Sequence, residues 1–194
     1  ILIGHNNHPE VIGTMGQLPK GSIKLVETVN DASLLDNKNF SKPVAYITQT
    51  TLSVDDTAEI ISKLKEKFPN IKQPIKEDIC YATTNRQLAI KSIASKCDLI
   101  YVIGANNSSN SLRLVEVGKR SGCDETHLIS DTSEVNWKLV EKKQKIGLTA
   151  GASAPDILIQ EFINELNQLY NVEIKKISVA DENITFKIPR ELNE

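Results

Sequence analysis

The sequence has 194 residues, a length that fits one or two domains. Its 23 Lys and Arg residues nearly balance 25 Asp and Glu residues, which excludes nucleic-acid binding driven by bulk positive charge. No apolar run approaches the roughly 18–20 residues that would span a bilayer, so a membrane protein is not expected. The cysteines are too few for a secreted disulfide scaffold and leave thiol or metal chemistry open; they are Cys80, Cys97 and Cys123.

The beginning of the chain has an unusual pattern. A strand-like segment, Ile1 to Ile3, runs straight into a loop, and the only methionine is Met15. No basic segment, apolar segment or small-residue cleavage site of a signal peptide is present. We therefore expect Ile1 to be a cut inside a larger protein.

Apolar spacing along the chain predicts strands that alternate with helices. The predicted strands cover residues 44–48, 99–104, 126–129 and 145–149, followed by two closing strands at 172–179 and 184–188. The predicted helices cover residues 54–68, 84–96, 111–121, 134–141 and 155–170. This alternation is typical of βαβ units, and it predicts an α/β fold with parallel sheets covered by helices.

Small polar residues follow three of the predicted strands, in the loops 48–51, 105–111 and 150–155. These loops carry hydroxyl or amide side chains and no Lys or Arg before their helices. Ligands of parallel sheets bind beyond the carboxyl ends of the strands, so the loops fit a phosphate or diphosphate. The alternative is that Ser, Thr and Asn act there only as helix caps.

Two further segments carry reactive side chains. The segment 4–16, interpreted as a loop, contains His5, His8 and Glu10, which suit a proton relay better than a metal site; a solvated loop is the alternative. Cys80 precedes a predicted helix, where a thiolate nucleophile or metal ligand is favoured. Without a Cys-x-x-Cys motif, the spacing does not build a self-contained iron–sulfur site.

Five motifs together resemble one family. They cover residues 4–16, 48–57, 78–87, 107–111 and 149–156, in that order. In order and spacing they are similar to the LytB family of 4-hydroxy-3-methylbut-2-enyl diphosphate reductases. The resemblance implies removal of the substrate hydroxyl with two electrons and protons, which yields isopentenyl and dimethylallyl diphosphate at the end of the methylerythritol phosphate route.

The resemblance also implies a cofactor and an architecture. It implies a 4Fe–4S cluster held by three cysteines, inside a cloverleaf of three α/β lobes with small parallel sheets. Residues 1–76 would be the remainder of the second lobe, 77–165 the third lobe, and 166–194 strands packing toward a first lobe. Ferredoxin or flavodoxin would donate electrons, in the bacterial cytoplasm or the plastid stroma, with no nucleic-acid or membrane partner.

Site residues carry over from the resemblance one by one. Cys80 is similar to the last of the three cluster cysteines, and Glu10 to the acid that delivers protons. Thr50 resembles the threonine that binds the substrate hydroxyl, and His8 a partner near the diphosphate. The residues that match the diphosphate cradle are Ser108, Ser109, Asn110 and Ser153.

Two alternatives stay open. The family's first two cluster cysteines would precede Ile1, and neither Cys97 nor Cys123 lies in a matching motif, so we expect this chain alone to be inactive. A non-redox phosphate-binding α/β module or decayed relative is one alternative. An enzyme with a cysteine nucleophile, built from Cys80 and His8, is the other.

Overall fold

The computed structural model of the protein describes residues 1–36, 40, 42–182, 184, 185, 187–189 and 192. These residues contain two parallel three-stranded sheets with the orders β2-β1-β3 and β5-β4-β6. The strands are β1 (Leu2–Ile3), β2 (Leu25–Val26), β3 (Ile47–Thr48), β4 (Leu99–Ile103), β5 (Thr126–Ile129) and β6 (Ile146–Ala150). The predicted α/β fold with small parallel sheets is therefore confirmed.

Helices connect and cover these strands. They are α1 (Pro9–Met15), α2 (Val29–Leu34), α3 (Val54–Lys67), α4 (Tyr81–Ala94), α5 (Ser109–Arg120), α6 (Trp137–Val140) and α7 (Asp156–Leu169), with a 3₁₀ turn at Thr132–Glu134. In each sheet the strand that comes first in the chain lies in the centre. The two sheets therefore repeat one topology, although their sequences show no strict repeat.

The two lobes of this chain are numbered from here on in chain order, so its first lobe contains residues that the resemblance assigns to the second lobe of the cloverleaf. This first lobe is built around the sheet β2-β1-β3. Its core joins Ile3 and Val26 of the sheet to Ile60 and Leu64 of α3. Helix α3 begins at the Ser53 N-cap, which accepts a hydrogen bond from a backbone N–H of the first turn, and carries acidic residues there and lysines in its last turn. This lobe places the start of α1 at the edge where the strands end.

The second lobe is built around β4, whose five residues are all buried. Alternate side chains of β4 pack into two cores because successive residues of a strand point to opposite faces. Leu99, Tyr101 and Ile103 contact the core that includes Phe162 of α7. Ile100 and Val102 contact the core beneath α4 and α5. A strand buried on both faces has a continuous apolar sequence, which is why it is predicted at its observed position.

Several element boundaries differ from the prediction. Helix α1 lies within the segment interpreted as a loop, where Pro9 occupies the first helical turn and lacks only an N–H that would be unpaired there anyway. Strand β3 contains only two residues, and α5 begins at Ser109 rather than at residue 111. Helix α7 continues to Leu169, beyond residue 165, where the sequence places the end of a lobe.

The two predicted closing strands are not formed. Residues 172–179 and the described residues of 184–188 have no strand pairing, and their apolar side chains, such as Ile174 and Ile184, are exposed. A strand is stable only when a neighbour pairs its backbone groups, and no described strand lies beside this segment. The division into lobes at residues 76 and 165 stays a prediction.

None of the helices in the described part of the chain is long and apolar enough to cross a bilayer.

Candidate active site at the starts of two helices

The central strands of the two lobes lead into a common site. The loop after β1 leads to α1, and the loop after β4 leads to α5. In a parallel sheet the strand order reverses at the central strand, and ligands bind in the crevice beyond that point. The Nε2 of His8, at the start of α1, lies 2.7 Å from the Oγ of Ser109, at the start of α5. One hydrogen bond thus joins the ends of the two lobes at which their central strands lead into helices.

His8 is the N-cap of α1. Pro9 has no N–H, so the Nδ1 of His8 accepts from the next backbone N–H, that of Glu10, at 3.2 Å. An accepting Nδ1 carries no hydrogen, which places the ring hydrogen on Nε2. His8 therefore donates to the Oγ of Ser109, and the hydroxyl hydrogen of Ser109 stays available for a ligand.

The carboxylate of Glu10 is held by Thr50. Its Oε1 accepts from the Thr50 backbone N–H at 3.0 Å, and its Oε2 accepts from the Thr50 Oγ1 at 3.1 Å. Strands β1 and β3 are parallel neighbours, so the residues that follow them meet at one sheet edge. The sheet thereby brings together two residues that are 40 positions apart in the chain.

Cys80 is joined to this pair through its backbone. The Cys80 backbone N–H donates to the Thr50 carbonyl at 3.2 Å, and Cys80 is the N-cap of α4. Its Sγ lies 3.2 Å from the Oγ1 of the buried Thr83. The carboxylate of Asp78 accepts from the Thr48 backbone N–H at 2.9 Å and so holds the segment before Cys80 against β3. The half-buried thiol has no disulfide partner.

The other two cysteines lie elsewhere. Cys97 and the buried Cys123 belong to the core beneath α4 and α5. Burial first, and the neighbouring Cys123 second, raise the pKa of the Cys97 thiol, which keeps it protonated. Within the described part of the chain, no group of three or more His, Cys, Asp or Glu side chains could hold a metal ion. The chemistry of Cys80 fits one thiolate ligand of an iron–sulfur cluster, and these residues do not complete the set.

The first turn of α5 is rich in hydrogen-bond donors. The Oγ of Ser108 accepts from the backbone N–H and the hydroxyl of Ser111, at 3.3 and 3.0 Å, so its own hydrogen stays available. Asn110 is 6% exposed, and neither atom of its side-chain amide has a hydrogen-bond partner. Free backbone N–H groups of the helix N-terminus add to these donors. This turn can bind an anion without a cationic side chain.

Two glycines allow the strands β4 and β6 to approach α5. A Cβ atom at Gly104 would lie 2.1 Å from the Oγ of Ser111, and one at Gly151 would lie 2.2 Å from the same oxygen. The loop after β6 therefore lies against the first turn of α5. Ser153 of this loop is exposed and lines an open cleft with Gly104 and Asn106. Unlike His8, Ser153 forms no hydrogen bond with Ser108, Ser109 or Ser111 of α5 among the described residues.

The structure decides between the interpretations of the N-terminal histidines. Both ring nitrogens of His8 are engaged, one by Ser109 and one by the backbone of Glu10, whose carboxylate contacts Thr50 instead. The expected imidazole–carboxylate relay is therefore not formed. His8 also makes no hydrogen bond to Cys80, so the pairing that a cysteine nucleophile would need is not present.

Two residues of the site were not singled out from the sequence. The buried Gln49 accepts the His5 backbone N–H at 3.0 Å and donates to the Thr51 hydroxyl at 3.0 Å. The Nε of Arg86 donates to the Ala150 carbonyl at 3.0 Å, at the end of β6. The position of Gln49 directly after a strand was a usable signal. No comparable position after a strand pointed to Arg86, because it lies within a helix.

These features define a class of protein. It is an α/β protein with a threonine-bound carboxylate and a free thiol after one sheet and a neutral, donor-rich helix N-terminus after the other. A family model described as LytB protein matches residues 1–167. The chain belongs to the LytB family.

Several known proteins are similar over nearly all of the chain. A 4-hydroxy-3-methylbut-2-enyl diphosphate reductase of Roseobacter denitrificans is 52% identical over 100% of the chain, which covers 61% of that protein. One of Bradyrhizobium diazoefficiens is 49% identical over 98% of the chain and 59% of that protein. The structure of the E-1-hydroxy-2-methyl-but-2-enyl-4-diphosphate reductase from Plasmodium falciparum matches with a TM-score of 0.89 and 40% identity, over 98% of this chain and 59% of that one. The chain thus spans about three-fifths of the length of these relatives.

Proposed function

We propose that this chain carries part of the active site of a reductase that converts 4-hydroxy-3-methylbut-2-enyl diphosphate to isopentenyl and dimethylallyl diphosphate. The reaction takes up two electrons and two protons, breaks the carbon–oxygen bond of the allylic alcohol, forms one carbon–hydrogen bond and releases water. Membership of the LytB family and the names of its relatives support this substrate and reaction.

The diphosphate would bind at the first turn of α5. The free hydroxyl hydrogens of Ser108 and Ser109 and the unpartnered amide of the buried Asn110 are suitable donors to phosphate oxygens. Ser153, in the adjoining loop, would supply a further hydroxyl. Because several neutral donors would converge on the phosphate oxygens, the site needs no lysine or arginine at the anion.

Glu10 and Thr50 would move a proton to the leaving hydroxyl. When Oε2 of Glu10 carries a proton, it can donate to the Oγ1 of Thr50, because a hydroxyl both accepts and donates. The hydroxyl hydrogen of Thr50 is then donated to the substrate oxygen. Protonating this oxygen lets it leave as water rather than as hydroxide, which lowers the barrier to bond cleavage.

Cys80 would hold the redox group as one thiolate ligand. When bound, a 4Fe–4S cluster would supply the two electrons, delivered by a carrier such as ferredoxin or flavodoxin. Its other cysteine ligands would have to come from outside these residues, because Cys97 and Cys123 lie in a separate core. A location in the bacterial cytoplasm or in the plastid stroma stays a prediction.

The observation that carries this proposal is the carboxylate of Glu10, bound at both oxygens by Thr50 beside Cys80. In the cluster-loaded enzyme, Glu10→Gln removes the proton donor and keeps the shape of the side chain. We expect turnover of the substrate to fall by about 100-fold or more, with substrate affinity changed by less than about threefold. Steady-state kinetics and calorimetric titration measure the two quantities.

The matched control is Glu59→Gln, which makes the same change on the exposed face of α3. Turnover should equal that of the wild type there. An equal loss of turnover and affinity in Glu10→Gln would remove Glu10 from proton transfer. Tight binding of substrate and pyrophosphate without any reduction by the loaded protein would favour the alternative, a non-redox diphosphate-binding module.

A further inference from the structure

A second contact joins the loop after β1 to helix α5. The Nε2 of His5 lies 2.7 Å from the Nη2 of Arg113. Arg113 follows Ser109 by four residues, so both side chains lie on the same face of α5. His5 and His8 of one loop thus contact α5 at points one helical turn apart, and His8 is the histidine that reaches the anion-binding turn.

The direction of this contact follows from chemistry. A guanidinium has only hydrogen-bond donors, so the Nε2 of His5 must accept and carries no hydrogen. Arg113 is also paired with the carboxylate of Glu116 and lies 3.8 Å from that of Asp56 in α3. Its side chain is only 12% exposed, which limits its freedom to turn elsewhere.

The rest of the loop is held by its own lobe. The His5 backbone N–H donates to Gln49 at 3.0 Å, and that of Asn6 donates to Glu27 at 2.8 Å. Asn7 has a φ of 64°, in the left-handed region that Asn tolerates better than most residues. Among the described residues, the side-chain hydrogen bonds from this loop to α5 are those of His5 and His8.

We propose that Arg113 and His5 are a positioning pair, which holds the loop of the first lobe against α5 and so keeps His8 bonded to Ser109. Without the pair, the His8–Ser109 bond is the one side-chain hydrogen bond left between this loop and α5 among the described residues. The consequence for diphosphate binding rests on the proposed function, because it assumes that Ser109 contacts the anion. The consequence for the His8–Ser109 bond does not depend on the proposed function.

The bond is observable by NMR in the nitrogen-labelled protein. A hydrogen on the Nε2 of His8 that is bonded to Ser109 exchanges slowly and gives an imidazole N–H signal, assigned by its loss in His8→Gln. In Arg113→Gln we expect this signal to be lost or broadened and the Kd for inorganic pyrophosphate to rise about tenfold. Arg113→Lys keeps a cationic donor and should restore the signal and bring the Kd within about threefold of the wild type.

The control is Arg120→Gln, on the same helix. Arg120 is ion-paired with Asp56 at 2.6 Å and is largely exposed, so this change removes the same charge without contacting the loop. The signal and the Kd should stay as in the wild type. If Arg113→Gln behaves like Arg120→Gln, the pair has no positioning role.

A second pair of variants covers the case in which Arg113→Gln does not fold. His5→Leu removes the acceptor and should lose the His8 signal, whereas His5→Gln offers a carbonyl acceptor and should retain it. An intact signal in His5→Leu overturns the proposal. If the wild type shows the His8 signal and does not bind pyrophosphate, the anion site of the proposed function fails, and the signal in the variants still decides the role of the pair.

Discussion

Asn110 has the most unusual environment of the site residues. It is buried, and neither its amide nitrogen nor its amide oxygen has a partner. Leaving a buried polar group unpaired lowers the stability of the folded protein by about 1–3 kcal/mol. No contact in the described part of the free protein compensates for this loss at Asn110. An amide at the first turn of a helix, beside serines with free hydrogens, is suited to a ligand instead.

Replacing Asn110 separates binding from stability. We expect Asn110→Ala not to lower the free energy of unfolding, because no hydrogen bond is lost in the free protein and an unpaired buried amide is removed. The same variant should weaken pyrophosphate binding by about 1–3 kcal/mol, measured by calorimetric titration.

Asn136 offers a matched control for this replacement. It caps α6 through a bond from its side chain to the Leu139 backbone N–H. Asn136→Ala should therefore lower stability by about 0.5–2 kcal/mol and leave pyrophosphate binding unchanged. The reverse pattern, with Asn110 needed for folding and not for binding, would contradict its assignment to the anion site.

His5 contributes a pH dependence to stability. Burial first, and the charge of Arg113 second, lower its pKa below the value of 6.5 found in unfolded chains, while Glu27 and Glu116 oppose the shift and His8 adds to it. As pH falls through about 6.5, the unfolded state binds a proton before the folded state does. The stability that the unprotonated ring contributes is therefore present above that pH and is lost below it.

His5→Gln removes this titration and keeps an acceptor for Arg113. Urea unfolding at pH 7.5 and 5.5 should show a smaller loss of stability in the variant than in the wild type. An equal loss in both proteins would show that His5 does not contribute to the acid sensitivity.

At the scale of elements, one serine determines how closely two strands approach α5. Ser111 is fully buried, and its Oγ occupies the space that a Cβ atom at Gly104 or Gly151 would fill. The Cβ of Ser111 would lie 2.7 Å from the added atom at Gly104 but 3.4 Å from that at Gly151. The first distance is a clash and the second is close to ordinary contact.

This difference predicts which replacement can be rescued. Gly104→Ala and Gly151→Ala should each destabilise the protein by about 1–3 kcal/mol through overpacking. Adding Ser111→Ala removes the Oγ and should restore most of the stability of Gly151→Ala and little of that of Gly104→Ala. A double-mutant cycle of thermal unfolding checks this; equal coupling for both glycines would contradict the geometry.

At the scale of the whole molecule, Gln87 joins the two lobes. This buried residue of α4 accepts the Val54 backbone N–H at 3.0 Å and donates to the Leu52 carbonyl at 2.8 Å, at the start of α3. Charged pairs surround the same junction, between Asp55 and Lys91 and between Asp56 and Arg120. These pairs are partly exposed, so we expect them to contribute less than Gln87 does.

Removing this amide should weaken the junction strongly. Gln87→Leu leaves a partly buried N–H and a buried carbonyl without partners, and we expect a loss of about 2–4 kcal/mol in urea unfolding. Gln160→Leu makes the same change at an exposed position of α7 and should be within about 0.5 kcal/mol of the wild type. A negligible loss in Gln87→Leu would show that the lobes are held by other contacts.

The elements of the second lobe could be predicted because its signals are local. The continuous apolar run of β4 and the strand β5 lie within a residue of their predicted positions. In the first lobe, the strand-like segment at the start of the chain and the predicted strand 44–48 contain β1 and β3. The two-residue β2 and the seven-residue α1 were not predicted, because they are too short for periodicity to show.

The sequence by itself determined the fold class, the family resemblance and the position of a carboxylate, a thiol and donor-rich loops, because these depend on residue type and local spacing. Only the tertiary structure decided which of them meet. His8 and Ser109 are 101 residues apart in the chain, and His5 and Arg113 are 108 apart. No local motif links residues at such separations. Such contacts depend on how two lobes pack, and the free energy of that packing is shared by buried residues such as Gln87, whose role no spacing along the chain reveals.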